Sequence, residues 1–186
     1  MPSNRNAAID AIRDSLQGKA FDSALKACEL QLARTPRDAE LWGLKGQALQ
    51  ALGQLEDAAA CFRQGLVNNP GNARLLVLQG HLYTRQGRGE EAVASYTRAL
   101  ASDPGLTDAY RGLLNFREIP ADSAEAAELL ALALNERRSS SSRARALFLL
   151  GQIFVDASMD RAGFAFFAQA NSLVARSIER GKREYR

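Results

Sequence analysis

The stretch GQALQALGQLEDAAACFRQGLVNNP, residues 46–70, decides the fold, because residues 80–104, GHLYTRQGRGEEAVASYTRALASDP, follow the same plan 34 positions later. Both stretches open on glycine, carry alanine 12 positions on and an aromatic residue 4 positions after that, and end on proline. A fixed period of this size is typical of repeat proteins, in which each unit packs on its neighbours. The sequence therefore predicts a stack of repeated units.

Each unit contains two amphipathic segments. In the second unit, apolar residues recur three or four positions apart within residues 41–52 and again within 58–67. This spacing puts them on one face of a helix. Gly53 and Gly87 separate the two segments of their units, and glycine ends a helix readily because the left-handed conformation costs it little. The sequence predicts pairs of helices joined by tight turns.

Small residues mark the places where the two helices of a unit approach each other closely. Gly46 and Gly80 occupy such places in the second and third units. The aromatic residues Phe62 and Tyr96 are expected to fill the space beside them. One helix pair cannot bury both of its apolar faces, so stability is expected to come from stacking.

These residues resemble the tetratricopeptide repeat, a helix pair with the pattern W-x2-L-G-x2-Y, then A-x3-F, then P. The second unit supplies Trp42, Gly46, Ala58, Phe62 and Pro70, and the third supplies Gly80, Tyr83, Ala92, Tyr96, Ala99 and Pro104. The resemblance implies an all-α fold, a right-handed superhelical solenoid of antiparallel helix pairs.

The chain is taken as a single solenoid over residues 1–186. The same 34-residue period, called here the repeat frame, divides it into five units. Their expected bounds are about 5–38, 39–72, 73–106, an irregular 107–143, and 144–186, the last with a C-terminal helix attached. In the fourth unit, Pro120 is expected to interrupt the end of the first helix, and either Asp122 or Ser123 to cap the second.

Composition agrees with a helical domain. Of the 186 residues, 46% are hydrophobic and 24% are charged, and β-branched residues are sparse. No apolar run approaches the roughly 20 residues that span a bilayer. Residues 1–17 are polar and contain no apolar signal core, which favours a cytoplasmic protein without membrane insertion.

No enzyme signature stands out, so we expect no catalytic residue, no metal and no cofactor. His81 is the single histidine, which excludes a metal site or relay built from several histidines. Residues 87–89, Gly-Arg-Gly, resemble part of a phosphate loop, but no strand precedes them and the repeat makes them an inter-helix turn. Cys28 and Cys61 lie on core-facing segments and are predicted to be buried thiols rather than a disulfide.

By the resemblance, the first helix of each unit lines a concave groove. The groove residues expected to hold a partner are Arg13, Gln47, Gln50, Arg74, His81, Arg111, Asn115 and Gln152. Amide side chains can hydrogen-bond an extended peptide backbone, and arginines can pair with carboxylates. Ile9, Gly43 and Val77 are expected at adjoining groove places. The alternative is that all these side chains are only solvated residues on a curved surface.

The expected function is a non-catalytic interaction module or scaffold that binds a protein or an extended peptide. A net charge of +3 and a pI near 9.1 are a small excess. The excess lies near the C-terminus, at Arg176, Arg180, Lys182, Arg183 and Arg186. Aromatic residues are not interleaved with these basic residues, so we expect no specific nucleic-acid binding.

Two alternatives stay open. Residues 145–151 and 165–171 resemble the last repeat before the catalytic domain of bacterial tetratricopeptide sulfotransferases, which implies the N-terminal arm of a larger enzyme, inactive by itself. Weak self-association is the other alternative. Leu173, Val174 and Ile178 fit packing of the last helix on its own unit, which we favour, and fit docking on a second copy equally well.

Overall fold

A computed structural model describes the backbone of residues 3–184 and the side chains of residues 5–179. Ten helices make up this part of the chain, and it contains no strand, which confirms the all-α prediction. Their bounds are α1 Ser3–Gln17, α2 Phe21–Arg34, α3 Ala39–Ala51, α4 Leu55–Asn68, α5 Ala73–Arg85, α6 Gly89–Ser102, α7 Thr107–Leu114, α8 Ala124–Leu134, α9 Ser140–Asp156 and α10 Asp160–Glu184. The basic side chains of Arg180, Lys182, Arg183 and Arg186 lie outside the described residues.

The tight turns between paired helices share one backbone geometry. Gly53 and Gly87 have φ of 81° and 73°, as the sequence predicts. Lys19 and Ser158 stand at the corresponding turns with φ of 60° and 59°. In each turn the next residue donates its backbone N–H to a carbonyl five positions earlier, for example Gln54 to Leu49 at 2.9 Å. This is the Schellman pattern of a helix end.

Polar side chains cap the starts of four helices. Asp38 accepts hydrogen bonds from the backbone N–H groups of α3, and Asn72, 34 positions later, does the same for α5. Ser123 caps α8 and Ser139 caps α9, each accepting from the N–H three positions on. Ser123 thus takes the role that the sequence left open between itself and Asp122. Leu106 precedes α7 and provides no side-chain cap.

The chain falls into two compact units that divide between Ser102 and Asp103, called here the N-terminal and C-terminal units. In the N-terminal unit each helix packs on the next, and the first helices of successive pairs, α1, α3 and α5, also pack side by side. Short loops between packed neighbours make each pair antiparallel. The first helices therefore form a layer of their own.

Glycine and aromatic residues pack together inside the second and third helix pairs, as predicted. A Cβ atom on Gly46 would lie 2.4 Å from Phe62 Cε1, and one on Gly80 would lie 2.5 Å from Tyr96 Cε1. Both aromatic side chains are buried. Close helix crossing and the aromatic filler thus depend on each other, which explains why the two positions repeat together.

The two cysteines lie in the core of the N-terminal unit. Both are free and buried, which confirms the prediction of buried thiols. Burial raises the pKa of Cys28 to about 12 and also raises the pKa of Cys61. Because the thiolate is the reactive form, neither side chain is poised for thiol chemistry.

The fourth helix pair lies in the C-terminal unit and is irregular. α7 has only 8 residues and ends at Leu114, well before Pro120, so the expectation that the proline interrupts this helix is wrong. Tyr110 of α7 donates a hydrogen bond to Glu128 of α8 at 2.6 Å, and burial together with this bond raises the Tyr110 pKa. Both α7 and α8 pack on α9.

The last pair repeats the glycine–aromatic packing and then continues into a long helix. A Cβ atom on Gly151 of α9 would lie 2.3 Å from Phe167 Cε1 of α10. α10 runs for 25 residues, whereas α4 and α6 have 14. Leu173 is half-buried, but Val174 and Ile178 stay 38% and 54% exposed. Packing on their own unit therefore covers these two side chains only in part.

Candidate functional site

Two clefts lie on the first helices, one in each compact unit. The N-terminal cleft has a volume of about 440 Å³ and lies on α1, α3 and α5. Its apolar lining consists of Leu16, Leu44, Leu75 and Leu78. Its polar lining consists of Arg13, Gln17, Glu40, Gln47, Asn72 and Arg74. Three of the predicted groove residues, Arg13, Gln47 and Arg74, therefore lie together here.

Gly43 shapes the floor of the N-terminal cleft. A Cβ atom on it would lie 2.7 Å from Leu75 Cδ2, so the absence of a side chain lets Leu75 pack against α3. Gly43 is buried, and its contribution to the cleft is the close approach of α3 and α5. Gln47, one turn further along α3, is half-buried and presents its amide to the cleft.

Ion pairs between α1 and α3 set the charge of the N-terminal cleft. Arg13 donates hydrogen bonds to Glu40 and, at 3.1 Å, to Asp10. Arg5 donates to Glu40 at 3.1 Å and to Asp38 at 2.7 Å. Arg13 is therefore already neutralised, and a carboxylate ligand would have to displace Glu40.

Asp38 anchors this network at the start of α3. Its burial opposes ionisation, but hydrogen bonds from Arg5 and from the backbone N–H groups of Leu41 and Glu40 outweigh that effect and lower the pKa of Asp38. The Asp38 carboxylate thus holds α1 on α3 while it caps α3. Arg74, by contrast, pairs with no acidic residue in the described part of the chain.

The C-terminal cleft has a volume of about 530 Å³ and lies on α7 and α9. Its apolar lining is Leu114, Phe148 and Leu149. Its polar lining is Thr107, Asp108, Arg111, Asn115, Arg145, Gln152 and Asp156. The predicted groove residues Arg111, Asn115 and Gln152 lie together here.

Charges in the C-terminal cleft also balance. Arg111 donates to Asp108 at 2.5 Å, and Gln152 donates through Nε2 to Asp156 at 2.6 Å. Arg145 has no ion pair with a described residue. The lining contains two arginines, two aspartates and three large apolar side chains, so the cleft suits a ligand that offers hydrogen bonds and apolar side chains more than one that is strongly acidic.

Some predicted groove residues lie elsewhere. Gln50 is half-buried and lines neither cleft, and its backbone carbonyl accepts a hydrogen bond from Arg85 at 3.1 Å. His81 also lines neither cleft, and its ring meets the Tyr96 ring edge-on at 5.7 Å. Ile9 and Val77 are only 3% and 6% exposed, so the expectation that they line the groove is wrong.

The clefts contain residues that sequence reasoning did not select. Leu16 and Gln17 extend the N-terminal cleft along α1, and Thr107 and Asp156 close the C-terminal cleft. The available signal was the helical spacing from Arg13, since Leu16 and Gln17 follow it by three and four positions on the same face. Thr107 is the first residue of α7 and Asp156 the last of α9, and the repeat frame did not predict which residues at helix ends line a cleft.

Two features are absent from the described residues, a candidate metal site and a helix able to cross a membrane. No group of three or more His, Cys, Asp and Glu side chains there is arranged to hold a metal ion. None of the helices in that part of the chain has the length and apolar character needed to cross a membrane.

The helix pairs, their recurring glycine–aromatic contacts and the layer of first helices define a helical-repeat protein. The family model for the tetratricopeptide repeat matches residues 44–107. This match confirms, over residues 44–107, the resemblance to the tetratricopeptide repeat that the sequence predicted. Among proteins of curated function, none matches this sequence.

Solved structures share this fold at low sequence identity. A crystal structure of MamA is 17% identical, with a TM-score of 0.58, and the match covers 90% of this chain and 96% of that one. The Sgt2 TPR domain from Aspergillus fumigatus is 18% identical, with a TM-score of 0.57 and coverage of 62% and 77%. An O-GlcNAc transferase mutant from Thermobaculum terrenum is 20% identical, with a TM-score of 0.56 and coverage of 83% and 28%. These likenesses confirm the fold class.

Proposed function

We propose that this chain is a non-catalytic interaction module whose two clefts each bind an extended segment of another protein. The observation that carries the proposal is the clustering of six predicted groove residues, three in each cleft. Tetratricopeptide repeats serve generally as protein-interaction units, which supports the same reading. A cytoplasmic location stays a prediction from the sequence, as does the bacterial source that the resemblance to bacterial sulfotransferases implies.

The chemistry of the clefts indicates which class of ligand they can bind. Arg13 and Arg111 are paired with acidic residues. The free hydrogen-bonding capacity therefore rests on the unpaired Arg74 and Arg145, and on amides such as those of Gln47 and Asn115. Amides donate and accept, as an extended peptide backbone does. Leucine and phenylalanine side chains in the lining can bury apolar side chains of the ligand. We therefore propose an extended peptide of mixed charge with regularly spaced apolar residues.

The proposal is tested by selecting binding peptides from a random display library on the intact chain. Fluorescence anisotropy then gives the dissociation constant for the wild type and for the Asn115→Ala, Gln152→Ala double variant. Two hydrogen bonds at about 1 kcal/mol each predict a loss of about 30-fold. Both side chains are exposed, so the thermal midpoint should not change.

The matched control for this experiment is Gln169→Ala. Gln169 is an exposed amide on α10 and lies in neither cleft, so its loss should leave peptide affinity unchanged. A set of selected peptides of which none binds the double variant more weakly than the wild type would contradict the proposal, as would a library from which no binding peptide can be selected.

A second candidate is the N-terminal arm of a larger, sulfotransferase-like bacterial enzyme, inactive by itself. Its support is that this chain matches 28% of the length of a glycosyltransferase that carries the same fold. Sequencing the source transcript beyond the codon for Arg186 tests this candidate. A continuous reading frame with a catalytic domain supports it, and a stop codon at that point counts against it.

A further inference from the structure

One face of α10 carries apolar side chains that the described residues cover only in part. Phe164 is 64% exposed, Val174 38% and Ile178 54%. Ala168, Asn171 and Ala175 lie between them and are also exposed. Steps of three and four along the helix place them on one face. This α10 stripe consists of Phe164, Ala168, Asn171, Val174, Ala175 and Ile178.

A groove lies beside the C-terminal half of the α10 stripe. It is lined by Ser141, Ala144, Arg145 and Phe148 of α9 and by Val174, Ser177 and Ile178 of α10, and its volume is about 180 Å³. An apolar cavity of about 150 Å³ accepts a benzene molecule. The groove therefore has the size for one phenyl ring, and the stripe itself presents an exposed phenyl ring at Phe164.

We propose that a second copy of this chain docks on the α10 stripe, with the two α10 helices antiparallel about a twofold axis at Asn171. Phe164 stands seven positions before Asn171 and Ile178 seven positions after it. An antiparallel pair centred on Asn171 thus puts Phe164 of each copy beside Ile178 of the other, where it enters the groove. The same contact forms twice, as in an isologous interface.

Charges favour a second copy in this orientation. The α10 stripe contains no charged residue, so two copies meet without like-charge repulsion. Arg161 stands ten positions before Asn171 and Glu179 eight after it, and both are exposed. An antiparallel pair brings Arg161 of one copy within about one helical turn of Glu179 of the other. A parallel pair would set Arg161 against Arg161.

The size of the contact sets its strength. From Phe164 to Ile178 the stripe extends about 21 Å. A single helix pair of this length buries less than the roughly 1,600 Å² of a standard interface. The dimer is therefore weak, and it forms in the micromolar range or above.

Sedimentation equilibrium of the full chain over a range of concentrations tests the docking. The wild type is expected to dimerise, and Phe164→Ser or Ile178→Ser should raise the dimer dissociation constant at least tenfold without changing the thermal midpoint. Leu30→Ser is the matched control, because Leu30 is 68% exposed on α2 and outside the stripe. A wild type that stays monomeric throughout overturns the proposal, and so does a dimer that neither stripe variant weakens.

Charge reversal tests the orientation without touching the apolar contact. Arg161→Glu and Glu179→Arg should each weaken the dimer, and the two together should restore it. A double variant that dimerises no better than the single ones would overturn the antiparallel arrangement. None of the four substituted residues lines a cleft described above, but the groove shares Arg145 and Phe148 with the C-terminal cleft. Peptide binding by the N-terminal cleft therefore serves as the readout that keeps this test separate from the proposed function.

Discussion

At the scale of single residues, four tight turns share the left-handed backbone conformation, and only two have glycine there. Gly53 and Gly87 are open to solvent at the Cβ position, so glycine is needed for its conformation and not for space. Lys19 and Ser158 adopt nearly the same φ with a side chain present. An L-residue in this conformation is strained by about 1–2 kcal/mol. The first and last turns therefore keep strain that the middle turns lack.

Exchanging residues at these turns should change stability in opposite directions. Gly53→Ala is expected to lower the free energy of unfolding by about 1 kcal/mol, since alanine takes on the left-handed strain. Lys19→Gly is expected to raise it by about 0.5 kcal/mol, because the relieved strain exceeds the added entropy of the unfolded chain. Urea titration followed by circular dichroism measures both.

Gly71→Ala is the matched control for the turn variants. A Cβ atom on Gly71 would approach only Ser102 Oγ, at 3.9 Å, and Gly71 has no left-handed φ. Its replacement should be neutral or slightly stabilising. Equal losses for Gly53→Ala and Gly71→Ala would mean that the conformation of Gly53 is not what holds the turn.

At the scale of helices, the ion pairs between α1 and α3 include one made by the ionised carboxylate of Asp38. Because the pKa of Asp38 is lowered in the folded chain, its contribution to stability is present above the ordinary aspartate pKa, near 4, and is lost as pH falls through the lowered value. Arg5 is half exposed, so solvent screens the pair and its contribution is about 0.5–1 kcal/mol.

An NMR titration of the Asp38 carboxyl carbon tests this coupling. Arg5→Gln removes the hydrogen bonds to Asp38 and should bring the pKa of Asp38 up toward or above its ordinary value. The stability advantage of the wild type over Asp38→Asn, which keeps the capping oxygen, should shrink as pH falls below 4. An unchanged Asp38 pKa in Arg5→Gln would refute the role given to Arg5.

The length of the irregular helix α7 could not be predicted from the sequence. The repeat frame predicted the turns at Gly53 and Gly87 and the packing of Gly46 on Phe62, because those places carry residues that only one geometry suits. It did not predict that α7 ends at Leu114, since the period implied a longer helix. Asp38 and Asn72, 34 positions apart, cap α3 and α5. The residue another 34 positions on is Leu106, whose side chain cannot cap α7.

At the scale of the whole molecule, cleft-lining positions were predictable where the 34-residue period fixed which face of a helix a residue lies on. The period placed Gln47 and Arg74 at the N-terminal cleft, because positions on a regular first helix point predictably. It misplaced Ile9, which lies in the core with Leu41 and Leu44, since α1 packs on both α2 and α3 and buries a wider face. The ion pair between Arg13 and Glu40 joins two different helices, so no local sequence pattern predicts it.

Hydroxyl-radical footprinting of the chain with and without a selected peptide tests the central claim most directly, that the first helices carry the binding face. The account predicts protection of Leu16 and Leu78 in the N-terminal cleft or of Leu114 and Leu149 in the C-terminal cleft. The exposed side chains on second helices, Leu30, Val67 and Leu134, should react equally in both samples. Protection of the second-helix side chains, with the cleft leucines unchanged, would contradict it.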